Sequence, residues 1–180
     1  SMSIDETSAD HGDNGSTPAP QGADDGPSRF VGIGASAGGL EAIEALASHL
    51  PTDSGMAFVV IQHLSPDYKS LMVELLSKKT KIPVQRSTDG MEVKPNNIYM
   101  IPPKKNLSIF HGRLVLKEKD HTRGVNLPID IFLRSLAEDK AERAIAIILS
   151  GTGSDGTRGV RAIKEQGGMV MVQDESSKFN

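Results

Sequence analysis

The sequence predicts an α/β domain in which a mostly parallel sheet is flanked by helices and carries a small β-hairpin insert. From Arg29 onward, short apolar runs alternate with segments whose apolar residues repeat every 3.6 positions, the order expected of successive strands and helices. The runs 57–61 and 144–149 are continuously apolar rather than alternating, as strands buried on both faces are. We expect these two strands at the centre of the sheet.

The predicted elements are supported by their apolar patterns and by the proline and glycine residues at their ends. Pro128 stands at a first-turn position of a helix, Pro51 follows the first helix, and Gly167 and Gly168 follow the last one. Two short runs around His111 predict a hairpin that packs beside the sheet, near one edge. The predicted strands are 30–33, 57–62, 84–87, 98–101, 144–149 and 169–173; the predicted helices are 38–50, 70–80, 128–140 and 157–166; the hairpin arms are 107–110 and 113–116.

The distribution of charged residues along the 180-residue sequence changes near position 28. Residues 1–28 contain six acidic and no basic side chains among Gly, Ser, Pro and Ala, so we expect a disordered acidic leader that begins with a cloning remnant. Residues 29–180 hold the remaining 17 acidic and all 20 basic residues and form the predicted catalytic domain. This mild basic excess permits an acidic protein partner without requiring one.

Composition excludes several classes of function. The chain has no cysteine, which rules out disulfides, thiolate metal sites and a cysteine nucleophile. No apolar run approaches the roughly 20 residues of a membrane span, and no signal segment precedes the domain, so we expect a cytoplasmic protein without direct membrane insertion. No basic run is interleaved with aromatic residues, which argues against nucleic acid as a partner.

Three side chains with complementary chemistry stand just past predicted strands. Ser36 lies in the glycine-rich turn 32–39, His63 follows the second strand, and Asp155 follows the strand that ends at position 149. Ligands of open parallel sheets bind at the carboxyl ends of the strands. A hydroxyl, an imidazole and a carboxylate at that edge predict a nucleophilic relay, in which His63 accepts the serine proton and Asp155 orients the imidazole.

Each of these residues also has a structural interpretation. Ser36 can be a small residue in a tight turn, His63 a surface side chain, and Asp155 the cap of helix 157–166. The run Gly32-x-Gly34-x-x-Ala37 fits a relaxed dinucleotide-binding fingerprint, but the second strand does not end in the acidic residue that binds ribose. The five histidines lack metal-ligand spacing, so we predict no cofactor and no metal.

The chain resembles a known family through three linked segments: 33–39 (IGASAGG), 62–63 (QH) and 150–156 (SGTGSDG). Together with 89–90 (DG), 99–103 (YMIPP) and 128–130 (PID), they are similar to the CheB-type chemotaxis protein-glutamate methylesterase catalytic domain, from about position 30 to the end of the chain. This resemblance implies a doubly wound parallel α/β fold. It also implies hydrolysis of glutamate methyl esters on methyl-accepting chemotaxis receptors, with some members deamidating receptor glutamines.

The same resemblance assigns roles to individual residues. Ser36 would be the nucleophile, His63 the general base and acid, and Asp155 the orienting carboxylate. Backbone N–H groups at Ala37 and Thr152 are the candidates for the oxyanion site, because both stand in glycine-rich turns at strand ends.

Several departures from the family pattern leave an alternative open. Alanine follows Ser36 where threonine is usual, Thr152 replaces methionine, and 125–127 (VNL) stands where an arginine-containing segment is usual. With no receiver domain in the sequence, the form resembles the one fused to a CheR-type methyltransferase, a possible partner domain. The family continues past the segment matching 173–175, so we expect truncation at the C-terminus. The alternative function is a non-catalytic regulatory or docking module of a larger sensory fusion protein.

Overall fold

The computed structural model describes residues 26–63, 71–120, 122 and 124–173. Within these ranges six strands form one sheet and two further strands form a separate hairpin. The elements are β1 (Phe30–Ala35), α1 (Leu40–His49), β2 (Ala57–Gln62), α2 (Met72–Ser77), β3 (Val84–Arg86), β4 (Ile98–Met100), β5 (Lys105–Phe110), β6 (Arg113–Glu118), α3 (Pro128–Lys140), a 3-10 turn (Ala141–Arg143), β7 (Ala144–Ile148), α4 (Thr157–Glu165) and β8 (Met169–Val172).

The main sheet is parallel throughout its described strands, in the order β3-β4-β2-β1-β7-β8. The sequence prediction of a parallel sheet flanked by helices is therefore confirmed. The two continuously apolar runs form β2 and β7, which lie on either side of β1 rather than beside each other. The strand order changes direction at β1, with β2 added on one side and β7 on the other, and because all three strands are parallel their carboxyl ends lie at one edge.

Alternate residues of β1 face two different helical layers. Val31, Ile33 and Ala35 pack in the core beneath α1 and α2, whereas Gly32 and Gly34 face α3. A Cβ atom at Gly32 would lie 2.7 Å from Leu133 Cδ2. One at Gly34 would lie 2.8 Å from Ile129 Cγ2, closer than real Cβ contacts allow. The two glycines of the dinucleotide-like fingerprint therefore let α3 lie against β1.

The hairpin of β5 and β6 packs on α3, on the same face of the sheet as α4. Leu107, Ile109 and Leu114 are buried in the core that includes the apolar side of α3. At the hairpin turn, the Asp139 carboxylate of α3 accepts the N–H groups of His111 (2.6 Å) and Gly112 (3.0 Å). The predicted hairpin is thus anchored through a helix.

Helix bounds differ from the predicted ones where local hydrogen bonds compete with the helix. The first helix begins at Leu40 rather than position 38, because the N–H of Gly39 donates to the carbonyl of Ser36 (3.0 Å) and closes a turn. The second helix ends at Ser77 rather than position 80. Position 70, where the second helix was predicted to begin, lies outside the described residues.

Most of the predicted leader also lies outside the described residues, which begin at position 26. The last leader residues are bound to the domain, since the Ser28 N–H donates to the Gly55 carbonyl (2.9 Å) and the Arg143 guanidinium donates to the Pro27 carbonyl. In the described ranges, every helix is too short or too polar to cross a bilayer.

We predict that Gly34→Ala destabilises the domain by about 1–3 kcal/mol, because the added methyl group would overlap Ile129 at the start of α3. Gly38→Ala in the same turn is the matched control, since a Cβ there meets no atom within 4 Å. Urea unfolding of both variants measures the difference. Equal stability of the two variants would contradict the packing role of Gly34.

Candidate active site

Three chain segments meet at the carboxyl edge of the sheet. The register pairs Ala35 with Gln62, so Ser36 and His63 are the next residues on neighbouring strands, and the His63 N–H donates to the Ala35 carbonyl (3.0 Å). On the other side of β1, the Leu149 N–H donates to the Gly34 carbonyl (2.9 Å). The loop 150–156 therefore starts beside Ser36, and the predicted strand-end residues lie at one edge.

A short hydrogen bond joins His63 to Asp155. The imidazole Nε2 lies 2.6 Å from Asp155 Oδ2, and because a carboxylate only accepts, Nε2 carries the proton of this bond and Nδ1 is the acceptor nitrogen of the neutral imidazole. The Asp155 side chain is 1% exposed, whereas the His63 side chain is 35% exposed. The carboxylate is thus shielded from water while the imidazole remains within reach of a substrate.

Asp155 is held by the helix that precedes β7 in the chain. The backbone N–H of Ile129 donates to Oδ2 (3.0 Å) and that of Asp130 donates to Oδ1 (2.8 Å). Both N–H groups belong to the first turn of α3, whose dipole favours an ionised carboxylate there. The structural interpretation of Asp155 as the cap of its own following helix is wrong: its carboxylate binds the first turn of α3, and the N-cap residue of α4 is Gly156.

Ser36 is half-buried and lies against the start of the loop 150–156. A Cβ atom at Gly151 would lie 3.2 Å from Ser36 Oγ, and Gly151 has φ +91°, so this close approach requires glycine. In the described part of the chain, no hydrogen bond connects Ser36 Oγ to the imidazole. The structure thus joins His63 to Asp155 and places Ser36 on the adjacent strand end.

Gln62 contributes to the site although sequence reasoning assigned it no role. Its side chain is 4% exposed, and Nε2 donates to the carbonyls of Ser36 (3.2 Å) and Ala37 (3.4 Å). In a trans peptide the N–H points away from the carbonyl. Because Gln62 binds the carbonyls of Ser36 and Ala37, the N–H groups of Ala37 and Gly38 point away from Gln62. The sequence feature that could have identified Gln62 is a polar amide at the last position of an otherwise apolar strand.

The two oxyanion candidates lie in different loops. Ala37 is exposed in the turn after β1, and its N–H donates no bond to another described residue. Thr152 is half-buried between Gly151 and Gly153, and it lines a cavity of about 320 Å³ together with Asp155 and Val160. Ala37 directly follows Ser36 and Thr152 directly follows Gly151, whose Cβ position lies 3.2 Å from Ser36 Oγ, and the oxyanion role of their N–H groups stays a prediction.

His63 opens into a neighbouring cleft of about 220 Å³. The cleft is lined by prolines and an amide, among them Pro102, Pro128 and Asn126, and by lysines, Lys104 and Lys119 among them. The lysines contribute positive charge to the cleft that His63 lines, which favours a ligand with acidic groups.

We predict that Gln62→Glu destabilises the domain by about 1–3 kcal/mol at pH 7, because a carboxylate would face the Ser36 and Ala37 carbonyls without a proton to donate. Protonation restores the donor, so the deficit relative to wild type should shrink as pH falls through the titration of the new carboxyl. Unfolding measured from pH 4 to 8 checks this. A deficit that does not change with pH would contradict it.

Comparison with known proteins identifies the family. The family model for CheB methylesterase matches residues 31–179. A protein-glutamate methylesterase/protein-glutamine glutaminase of Xanthomonas oryzae is 33% identical over 153 residues, which cover 83% of this chain and 42% of the relative. One from Paramagnetospirillum magneticum is 32% identical over 170 residues, covering 91% of this chain and 48% of the relative. The chain thus spans less than half the length of these curated relatives.

A solved structure supports the same assignment. The CheB methylesterase catalytic domain of Thermotoga maritima superimposes with a TM-score of 0.73 at 31% identity, covering 82% of this chain and 80% of that domain. Its fold is the one described above, a parallel sheet flanked by helices. The chain belongs to the CheB methylesterase family.

Proposed function

We propose that this domain is a serine hydrolase that removes methyl esters from glutamate side chains of methyl-accepting chemotaxis receptors. Ser36 is the nucleophile, His63 the general base and acid, and Asp155 the orienting carboxylate. The observation that carries the proposal is the 2.6 Å bond between His63 and a carboxylate that is 1% exposed, one strand away from Ser36. The names of the relatives, protein-glutamate methylesterase/protein-glutamine glutaminase, support a protein-glutamate ester as the substrate and extend the proposal to deamidation of protein glutamines.

The proposed reaction has two steps. The Ser36 hydroxyl gives its proton to His63 Nδ1 while Oγ attacks the ester carbonyl, and the tetrahedral intermediate expels methanol, which takes the proton from Nδ1. Water then loses a proton to Nδ1 and attacks the acyl carbonyl, the bond between the acyl carbon and Ser36 Oγ breaks, and Oγ takes the proton from Nδ1, which releases the glutamate carboxyl group and restores Ser36. Throughout, the Asp155 carboxylate keeps the Nε2 proton in place and stabilises the imidazolium.

Backbone donors stabilise the negative charge of each intermediate. We assign this role to the N–H groups of Ala37 and Thr152, the first held outward by Gln62 and the second in the glycine-rich loop. A donor of this kind contributes about 3–4 kcal/mol of transition-state stabilisation, and general base catalysis about 100- to 10,000-fold in rate.

The proposal includes a location and two partners. The substrates are the cytoplasmic helices of chemotaxis receptors, which places the domain in the cytoplasm. Residues 127–130 (LPID) resemble the family form fused to a CheR-type methyltransferase, and we include such a domain in the same polypeptide as a second partner.

We predict that Ser36→Ala lowers methanol release from a methylated receptor cytoplasmic fragment by about 10⁴-fold or more, because the nucleophile is lost. Ser48→Ala is the matched control, since this exposed serine lies at the far end of α1 and its hydroxyl bonds only to local groups, the Ala45 carbonyl and His49 Nδ1, among the described residues. It should retain wild-type activity. Wild-type turnover in Ser36→Ala would exclude the relay, and receptor binding without turnover in the wild type would indicate a docking module instead.

We predict a different outcome for Asp155→Asn, which should lower both activity and stability. The amide can accept on only one side, so either His63 or an N–H group of the α3 first turn loses its acceptor. We expect a loss of about 10⁴-fold in kcat together with about 1–3 kcal/mol in unfolding free energy. Chemical denaturation beside the methanol assay measures both, and an unchanged stability would contradict the capping role of Asp155.

A further inference from the structure

We infer that Asp130 is a positioning residue that fixes Asp155 against His63. The inference rests on the proposed function for its kinetic consequence, while its structural consequence is independent of activity. Asp130 is 5% exposed and stands in the first turn of α3. It lines neither of the two cavities at the site, so it acts through other residues.

The Asp130 carboxylate binds the backbone that carries Asp155. Oδ1 accepts the N–H of Gly156 (3.0 Å) and the N–H of Gly159 (2.8 Å). The first of these belongs to the peptide group that directly follows Asp155, and the second to the first turn of α4. Asp130 therefore sets the orientation of the peptide from which the Asp155 side chain projects.

The two aspartates hold each other through a closed ring of contacts. The Asp155 carboxylate accepts the N–H of Asp130, and the Asp130 carboxylate accepts the N–H of Gly156, the residue after Asp155. Each carboxylate thus lies at the N-terminus of the other residue's helix, where the helix dipole favours negative charge. Movement of either aspartate breaks bonds made by both.

Close packing of α3 and α4 makes this ring possible. A Cβ atom at Gly159 would lie 2.6 Å from Leu133 Cβ, so the helices approach at a distance that only glycine permits. Gly156 has φ +106°, and a Cβ there would lie 3.3 Å from Ile129 Cγ2. The backbone of α4 therefore comes within reach of a side chain as short as Asp130.

The second carboxylate oxygen of Asp130 makes it possible to test whether Asp130 acts through its hydrogen bonds or through its negative charge. Oδ2 is buried and has no hydrogen-bond partner among the described residues. Both hydrogen bonds from α4 are therefore accepted by one oxygen, Oδ1, and the side-chain amide of asparagine also supplies one acceptor oxygen. Replacement by asparagine should keep the geometry, whereas replacement by alanine should release it.

The test compares Asp130→Ala and Asp130→Asn with Asp139→Ala in the same chain. Asp139 is the matched control because it also lies on α3 and also accepts two backbone N–H groups, but at the hairpin end. We expect Asp130→Ala to lower kcat about 10- to 100-fold with KM unchanged, since displacement of a catalytic group costs rate rather than binding. Asp130→Asn should restore most of kcat, and Asp139→Ala should leave kcat at the wild-type value.

A spectroscopic measurement tests, without substrate, whether Asp155 keeps its hydrogen bond to His63. The imidazole N–H proton that His63 shares with Asp155 should give a downfield resonance in proteins with ¹⁵N-labelled histidine, because the bond is short and charge-assisted. We expect this resonance in wild type, Asp130→Asn and Asp139→Ala, and its loss in Asp130→Ala. A wild-type protein that shows the resonance but releases no methanol would reject the proposed function and leave this inference standing.

Three outcomes would overturn the inference. The first is that Asp130→Ala shows the same resonance and the same kcat as the wild type. The second is that Asp130→Ala and Asp139→Ala lose kcat equally. The third is that Asp130→Asn loses the resonance. The last outcome applies even where Asp130→Ala does not fold, since the asparagine variant keeps both size and acceptor.

Discussion

The site depends on one buried carboxylate that accepts hydrogen bonds from two different parts of the molecule. Asp155 binds the His63 imidazole through Oδ2 and the first turn of α3 through both oxygens. Burial of a carboxylate costs free energy unless donors replace water, and three donors do so here. The same contacts that make Asp155 tolerable in the core also fix the direction in which it faces the imidazole, so stability and orientation have one cause.

Glycine determines where the elements can approach closely enough for these contacts. Gly34 lets the start of α3 lie on β1, and Gly159 lets α4 lie on α3. Without these approaches, the N–H groups of α3 would not reach the loop after β7. The glycine-rich segment 32–39 therefore has two parts with different roles, since Gly34 in β1 serves packing whereas Gly38 in the turn after β1 has open space around it. A fingerprint that resembles phosphate binding is explained in part by helix packing.

Local patterns predicted the strands and their chemistry, but not the contacts between distant segments. Ser36, His63 and Asp155 could be proposed from sequence because each follows an apolar strand, and parallel strands end at one edge. Gln62 and Asp130 could not, since one contacts a turn 25 positions away and the other a helix 26 positions away. Asp155 shows the same limit, because its position before α4 suggested a cap for that helix whereas its side chain binds α3.

Ser36, the proposed nucleophile, is the least constrained of the three proposed catalytic residues. Gln62 binds the Ser36 carbonyl and Asp155 binds the imidazole, whereas the Ser36 hydroxyl lies against Gly151 and makes no hydrogen bond to another described residue. Catalytic hydrogen bonds often tighten only when substrate is bound. In the proposed reaction, the groups that carry charge are therefore fixed, whereas the attacking hydroxyl is not. This division follows from burial, since charge requires fixed donors out of water and a neutral hydroxyl does not.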